Sequence, residues 1–336
     1  MNRRRIVTRV VLLLVAAGSL YLLLPKVLDV FSSWPQLRGI DPWWLALAVF
    51  FEALSYIALW TLQRITIGTR SWFAVGTSQL AANAAGSIIP GGGAAAGAVQ
   101  YGMLVRAGIR SDRIVSGLAT SAAATTAAVL ALPVVASIAG LGGAAAPDGL
   151  RRVAYIGAAA FVLLGVVTIT AFVWDRPVRA VARGIRSAAG WIHRRERFED
   201  LPERLLVQRD SIQAAVRTHP VLAGLAALGK WGFDYLVLLS VLQALSVHPE
   251  PSLVLLAYAA AALLALIPLT PGGLGFVEAG LTGLLVVAGV DAGAAAAATL
   301  AYRLVSYWLP LPVGLVAYWL GRRAFPAGPP AAALDT

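Results

Sequence analysis

The sequence predicts an all-α polytopic membrane protein of about six spanning helices plus two oppositely oriented re-entrant hairpins, related as an inverted repeat. Three observations carry that expectation. The 336 residues are 59% hydrophobic and only 13% charged, with a mean hydropathy of +0.77, a composition that lipid solvates and water does not. Apolar runs recur along the whole length, each near the roughly 20 residues that cross a hydrocarbon core of about 30 Å. Two of these runs are too long for one helix, and each is broken near its middle by proline and glycine.

The elements follow in chain order. Val10–Leu24, preceded by Arg3, Arg4, Arg5 and Arg9, reads as the first span, because no small-residue cleavage site follows it. Pro42–Leu62 is the second span. Trp72–Val105 is the first over-long run, interrupted at Pro90-Gly91-Gly92-Gly93. Arg64 and Arg70 precede it and Arg106, Arg110 and Arg113 follow it, so the positive-inside rule puts both of its ends on the cytoplasmic side. That makes a hairpin rather than a crossing; the alternative is one long helix kinked at proline. Ile114–Leu141 and Val153–Trp174 are further spans.

Asp175–His219 is the longest polar stretch, with ten arginines against six acids. Val178, Val181, Ile185, Ala189 and Ile192 recur there at helical spacing with arginines between them, which suits an interfacial helix on an anionic cytoplasmic surface. Val221–Val247 is another span. Leu253–Val290 is the second over-long run, broken at Pro268-Leu269-Thr270-Pro271-Gly272-Gly273. His248, Glu250 and Asp291 flank it without a nearby Lys or Arg, whereas the last span, Ala292–Leu320, ends in Arg322-Arg323. The second hairpin therefore enters from the outer face. Residues 1–323 form one transmembrane domain in the cytoplasmic (inner) membrane with both termini cytoplasmic, and residues 324–336, rich in Pro and Ala, form a disordered tail.

The net charge of +11 does not point to nucleic acid. Of the 27 basic residues only Lys26 and Lys230 are lysine, and nearly all the arginines lie in short gaps between apolar runs, where cations set orientation and touch headgroups. With no Cys and three His, disulfides and thiol nucleophiles are excluded and a Cys/His metal site has only those three imidazoles to draw on. No metal site, cofactor or catalytic residue is assigned.

Ionisable groups inside spans are expensive and mark function or internal pairing. They are Glu52, Lys230, Asp234, Glu278 and Arg303. Lys230 and Asp234 stand four residues apart on one helix, where mutual neutralisation is the expected role. Glu52, midway along the second span, is either a protonated carboxyl capping a polar neighbour or a functional group. Glu278 follows the second glycine break, and Arg303 lies deep in the last span beside Tyr302, Tyr307 and Trp308. That arginine pairs with Glu278 or Glu52, presents a cation to an anionic headgroup, or does both, since a guanidinium has five donors. Helix breaks at Gly91, Gly92 and Gly93 and at Gly272 and Gly273 leave free N–H groups that favour phosphate, or else serve close helix packing. Pro90, Pro268 and Pro271 are candidate hinges. Asn83 and Gln100 flank the first break and are expected to satisfy freed backbone groups.

The run Ile267-Pro268-Leu269-Thr270-Pro271-Gly272-Gly273-Leu274-Gly275-Phe276-Val277-Glu278-Ala279-Gly280, followed by Tyr302-Arg303-Leu304 and Ser306-Tyr307-Trp308-Leu309-Pro310, resembles the flippase-like membrane domain of lysylphosphatidylglycerol synthases. Asn83 to Arg106, around Pro90-Gly91-Gly92-Gly93, looks like that family's first-half motif. Many members carry an acid after the first Pro-Gly pair; here Ala94-Ala95 and Gly97-Ala98 stand instead, so an acidic role in the first hairpin is not carried over. The bifunctional synthases continue into a soluble aminoacyl-transferase domain, and this chain ends at Thr336. The resemblance therefore implies translocation of an anionic phospholipid or polyprenyl-phosphate-linked headgroup rather than aminoacylation. Two other classes remain open: a membrane-embedded transferase acting on a lipid carrier, with Glu278 or Glu52 as base, and a noncatalytic partner of a cell-envelope enzyme docking through Asp175–His219.

Overall fold

Asp41 starts the described fold by accepting a hydrogen bond from the Trp43 backbone N–H (3.0 Å) with its side chain, ahead of Pro42 in the first turn of α1 (Pro42–Ile67). An N-cap oxygen followed by a residue that has no N–H to orphan is an efficient helix start. Gly68, at φ 72°, closes the helix by donating to the Arg64 carbonyl, the left-handed stop that glycine adopts without a Cβ penalty. The structure, a computed structural model, describes residues 41–89, 92–140, 220–265 and 271–326. Val10–Leu24, Val153–Trp174, the Asp175–His219 segment and residues 327–336 of the tail lie outside these.

Ser71 caps α2 (Trp72–Ile88) by accepting from the Ala74 N–H. It is followed by α3 (Gly92–Arg106), α4 (Ser111–Gly140), α5 (Pro220–Ala244), α6 (Pro251–Leu264), a 3-10 turn (Pro271–Gly273), α7 (Phe276–Val287) and α8 (Ala292–Arg303). A π turn (Leu304–Trp308) joins α8 to α9 (Pro310–Ala324). All the regular elements among the described residues are helical.

Length separates two kinds of helix. The described part of α4 over Ser111–Ala136, α1, α5 and the continuous run Ala292–Ala324 each hold 25 to 33 residues and are apolar enough to cross a membrane. At 1.5 Å per residue even the shortest exceeds a core of about 30 Å. By contrast α2, α3, α6 and α7 have 17, 15, 14 and 12 residues, too short for a full crossing by the same arithmetic. Each over-long run of the sequence has therefore become two short helices, and each pair packs on itself, α2 on α3 and α6 on α7. At the first break a Cβ on Gly92 would collide with the Gly86 carbonyl, so a glycine lets the two backbones meet there.

Packing between the pairs is reciprocal. The long helices α1 and α5 lie against each other, α2 packs on α9, and α6 packs on α4. Small residues permit this closeness: Ala257 and Ala259 to Ala262 on α6 are all buried, as expected where dispersion and backbone approach, rather than a hydrophobic drive, hold helices in lipid. Large apolar side chains such as Phe50, Leu225, Leu315 and Trp319 face outward instead, where acyl chains solvate them.

Gly314 on α9 tests the α2–α9 contact, because an added Cβ would strike the Leu80 carbonyl and lie 2.7 Å from Ala84 Cβ. Gly314→Val is expected to lower stability by about 1–3 kcal/mol through overpacking. Gly102→Ala on α3, where a Cβ meets open space, should leave stability unchanged or slightly raised. Thermal and denaturant unfolding in detergent checks both.

Candidate functional site

The second helix break builds the site from its own loose ends. Gly275, at φ 81°, starts α7, and Glu278 at the third helical position folds back so that its Oε2 accepts the Gly275 N–H at 2.6 Å. The carboxylate thereby also sits at the positive end of the helix dipole. Its other oxygen, Oε1, accepts from Arg303 Nε at 2.8 Å, with both side chains mostly shielded from solvent. Arg303 Nη2 donates to the Gly272 carbonyl at 2.9 Å, and the guanidinium lies 4.3 Å from the centre of the Tyr307 ring. Gly272 has φ 61°, and a Cβ there would collide with Tyr307, so no other residue fits without displacing that ring.

Tyr307 joins the two breaks. Pro310 lacks an N–H and its ring crowds the carbonyl four residues back, so the preceding turn widens: the Leu309 N–H bonds the Leu304 carbonyl, five residues earlier, at 2.9 Å. Within that π turn Tyr307 is buried, and its hydroxyl donates to the Ser87 carbonyl at 3.1 Å. Ser87 sits in the last turn of α2, where carbonyls lose their intrahelical partners. One side chain thus packs on Gly272 of the second break and satisfies backbone of the first.

Beside this junction lies a cavity of about 350 Å³. Its polar lining comes from Asn83 and Ser87 of α2, Lys230 and Asp234 of α5, Tyr258 of α6, and Tyr302, Arg303, Ser306 and Tyr307. Asp234 is buried and accepts hydrogen bonds from the hydroxyls of Tyr258 and Tyr302, the latter at 2.7 Å. The Lys230 ammonium rests over the Trp231 ring, 3.8 Å from its centre. Among the described residues the ion pairs are Arg110–Asp112 and Arg303–Glu278. The expected Lys230–Asp234 pairing is therefore not a direct ion pair: the two tyrosine hydroxyls donate hydrogen bonds to the carboxylate, and the ammonium lies over the indole nearby.

The other sequence-predicted residues are distributed as follows. Tyr302, Tyr307, Arg303 and Gly272 line the cavity, and Glu278 stands behind Arg303. Gly273, at φ 70°, packs toward Val277, Gly92 lies against Gly86, and Gly93 is exposed. Pro271 opens the 3-10 turn, and Pro90, Gly91 and Pro268 lie outside the described residues. Glu52 is buried on α1 and lines a second, almost wholly apolar groove of about 220 Å³ between α1, α2 and α9. Asn83 donates to the Tyr56 hydroxyl at 3.0 Å and Gln100 to the Gln63 side chain at 2.8 Å, so these amides tie helices together rather than serving the broken backbone. Tyr258 escaped sequence reasoning. Its signal is a lone hydroxyl in the alanine run of α6.

The length of the apolar helices, their outward-facing hydrophobic side chains and the internal polar cavity define a multi-pass α-helical membrane protein. The family model for the lysylphosphatidylglycerol synthase TM region matches residues 8–314, and the chain belongs to that family. It is also similar to a UPF0104 membrane protein of Methanothermobacter thermautotrophicus, 36% identical over 91 residues, a stretch that is 27% of this chain and 26% of that protein. The matched segment thus spans about a quarter of the relative's length.

Arg303→Met would strand the Glu278 carboxylate and free the Gly272 carbonyl. A loss of about 3 kcal/mol or more is expected, with much of it recovered in the double variant Arg303→Met, Glu278→Leu, which leaves no unpaired charge. A double-mutant cycle on unfolding in detergent reads this directly.

Proposed function

We propose that the cavity binds the headgroup of an anionic lipid, a phospholipid or a polyprenyl-phosphate carrier, and that the protein moves this headgroup across the cytoplasmic membrane. The observation that carries the reading is the lining itself. Two cations and the Ser306 hydroxyl converge on one mid-sized hollow inside a lipid-solvated bundle, where Tyr258, Tyr302 and Tyr307 already give their hydroxyl hydrogens to Asp234 and the Ser87 carbonyl. Ionisable groups at such depth face substrate pathways or partners, and a phosphate is the ligand that Arg, Lys and hydroxyl donors match together. A hollow of about 350 Å³ suits a headgroup and not its acyl tails, which stay in the bilayer. The membership in a lipid-related membrane family agrees with this.

The transport mechanism we infer is alternating access by an inverted repeat. Each half runs span, helix pair, span: α1, α2–α3, α4 in the first and α5, α6–α7, α8–α9 in the second. The contacts exchange under that correspondence, since α1 meets its counterpart α5 while α2 packs on α9 as α6 packs on α4. Such reciprocity is what a pseudo-two-fold axis generates. On this reading the helix pairs are re-entrant hairpins opening to opposite faces, with both chain termini cytoplasmic.

Lys230 gives a test that leaves the Arg303–Glu278 scaffold intact. Native mass spectrometry of the purified protein should find one anionic lipid class retained by the wild type. Lys230→Met should weaken that retention about tenfold, equivalent to about 1.4 kcal/mol. Indistinguishable lipid profiles in the two proteins would sink the headgroup reading.

A further inference from the structure

The headgroup cavity does not account for one buried acid. Glu52 Oε2 is buried, and no N–H or O–H donor among the described residues reaches it. What does face it is another carboxyl: Asp234 lies within hydrogen-bonding reach across the α1–α5 contact. Buried polar atoms are almost always hydrogen-bonded, but two ionised carboxylates are acceptors only and have no hydrogen to offer one another. Asp234 Oδ2 already receives the hydroxyls of Tyr258 and Tyr302. A single proton on Glu52 makes it the donor that the geometry lacks.

The charges around the pair agree. Among the described residues the titratable and charged groups facing it are Tyr56 on α1, Lys230 on α5, Tyr258 on α6, and Tyr302 and Arg303 on α8. Arg303 is matched by Glu278, which leaves Lys230 as the nearby cation among the described residues. With one proton on the pair, its remaining negative charge and Lys230 sum to zero. With none, an excess negative charge would sit beside the apolar groove that Glu52 also lines, where an unpaired carboxylate is costly. An anion entering the cavity adds negative charge next to Asp234, and one further proton from water on the carboxyl pair is what charge balance then requires.

We propose that Glu52 and Asp234 form a proton-carrying carboxyl pair, which shares one proton when the cavity is empty and takes up a second as an anionic headgroup enters, so that headgroup movement is coupled to protons. No other bond changes; the proton returns to water when the headgroup leaves. The coupling rests on the headgroup reading, whereas the shared proton does not, and two measurements keep them apart. Infrared difference spectroscopy of the full-length protein at neutral pH, without added lipid, should contain the deuterium-sensitive C=O stretch of a protonated carboxyl, lost in Glu52→Gln. Calorimetric titration with dihexanoyl phosphatidylglycerol in two buffers of different ionisation enthalpy should report uptake of about one proton per bound lipid for the wild type, and none for Asp234→Asn. An unchanged carboxyl band in Glu52→Gln would overturn the shared proton. Lipid binding by the wild type without proton uptake would overturn the coupling while sparing the headgroup site. No binding of the probe, with the band still lost in Glu52→Gln, would overturn the coupling and count against the headgroup reading together.

Discussion

Within a bilayer there is no water to take up a peptide group that loses its helical partner, and each such group costs several kcal/mol if left bare. The architecture of this protein depends on how it meets that constraint at two helix breaks. At the second, one ion pair satisfies two of the described backbone groups: Arg303 takes the Gly272 carbonyl and Glu278 takes the Gly275 N–H, while the two side chains neutralise each other. Charges that would be prohibitive singly become a crosslink between α7 and α8. The break is thereby fixed open, so non-helical backbone and polar side chains share the cavity wall.

The first break is supported from the other half of the chain. Tyr307 reaches the Ser87 carbonyl only because the π turn ahead of Pro310 changes the register of α8–α9. Gly272 must be a glycine for the same ring to fit. The two breaks are therefore not independent features; a change at Pro310 would be felt at both through Tyr307. The hydrogen bonds from Ser55 to the Lys230 carbonyl and from Trp231 to the Thr125 carbonyl tie α1 and α4 to α5 around the same region. The cavity is framed by these crosslinks, in keeping with a site that needs fixed donors.

The described helices and the breaks between the short pairs are legible in the sequence because each rests on a local rule. Run length gave the long helices, and Pro-Gly clusters at mid-run gave the short pairs. The Arg303–Glu278 pairing was also foreseeable as one of the two partners open to a buried guanidinium. What one-dimensional reasoning could not supply was competition among partners. Lys230 and Asp234 have ideal spacing for mutual neutralisation, yet Tyr258 and Tyr302, 24 and 68 residues away from Asp234, claim the carboxylate. Nothing in the spacing of Glu52 and Asp234 reveals that their helices pack face to face. Gly92 and Gly272 look alike in sequence, but one meets a backbone carbonyl and the other an aromatic ring.

These contacts also decide which cation is available to a ligand. Arg303 holds a buried carboxylate, donates to a carbonyl and stacks on Tyr307. Breaking the ion pair alone costs about 3 kcal/mol or more, and the hydrogen bond from a charged donor adds about 1.5–3 kcal/mol. Lys230 is held by its contact with the Trp231 ring, an interaction of about 0.5–2 kcal/mol, on a flexible four-carbon stem. An anion that needs a full positive charge at its side can draw Lys230 away from its ring for far less than it can draw Arg303 from its scaffold. Arg303 keeps N–H donors beyond the two used by protein acceptors, so it can add hydrogen bonds without moving. The two cations therefore differ in kind: Arg303 is a fixed part of the cavity wall, and Lys230 is the one whose charge can follow an anion.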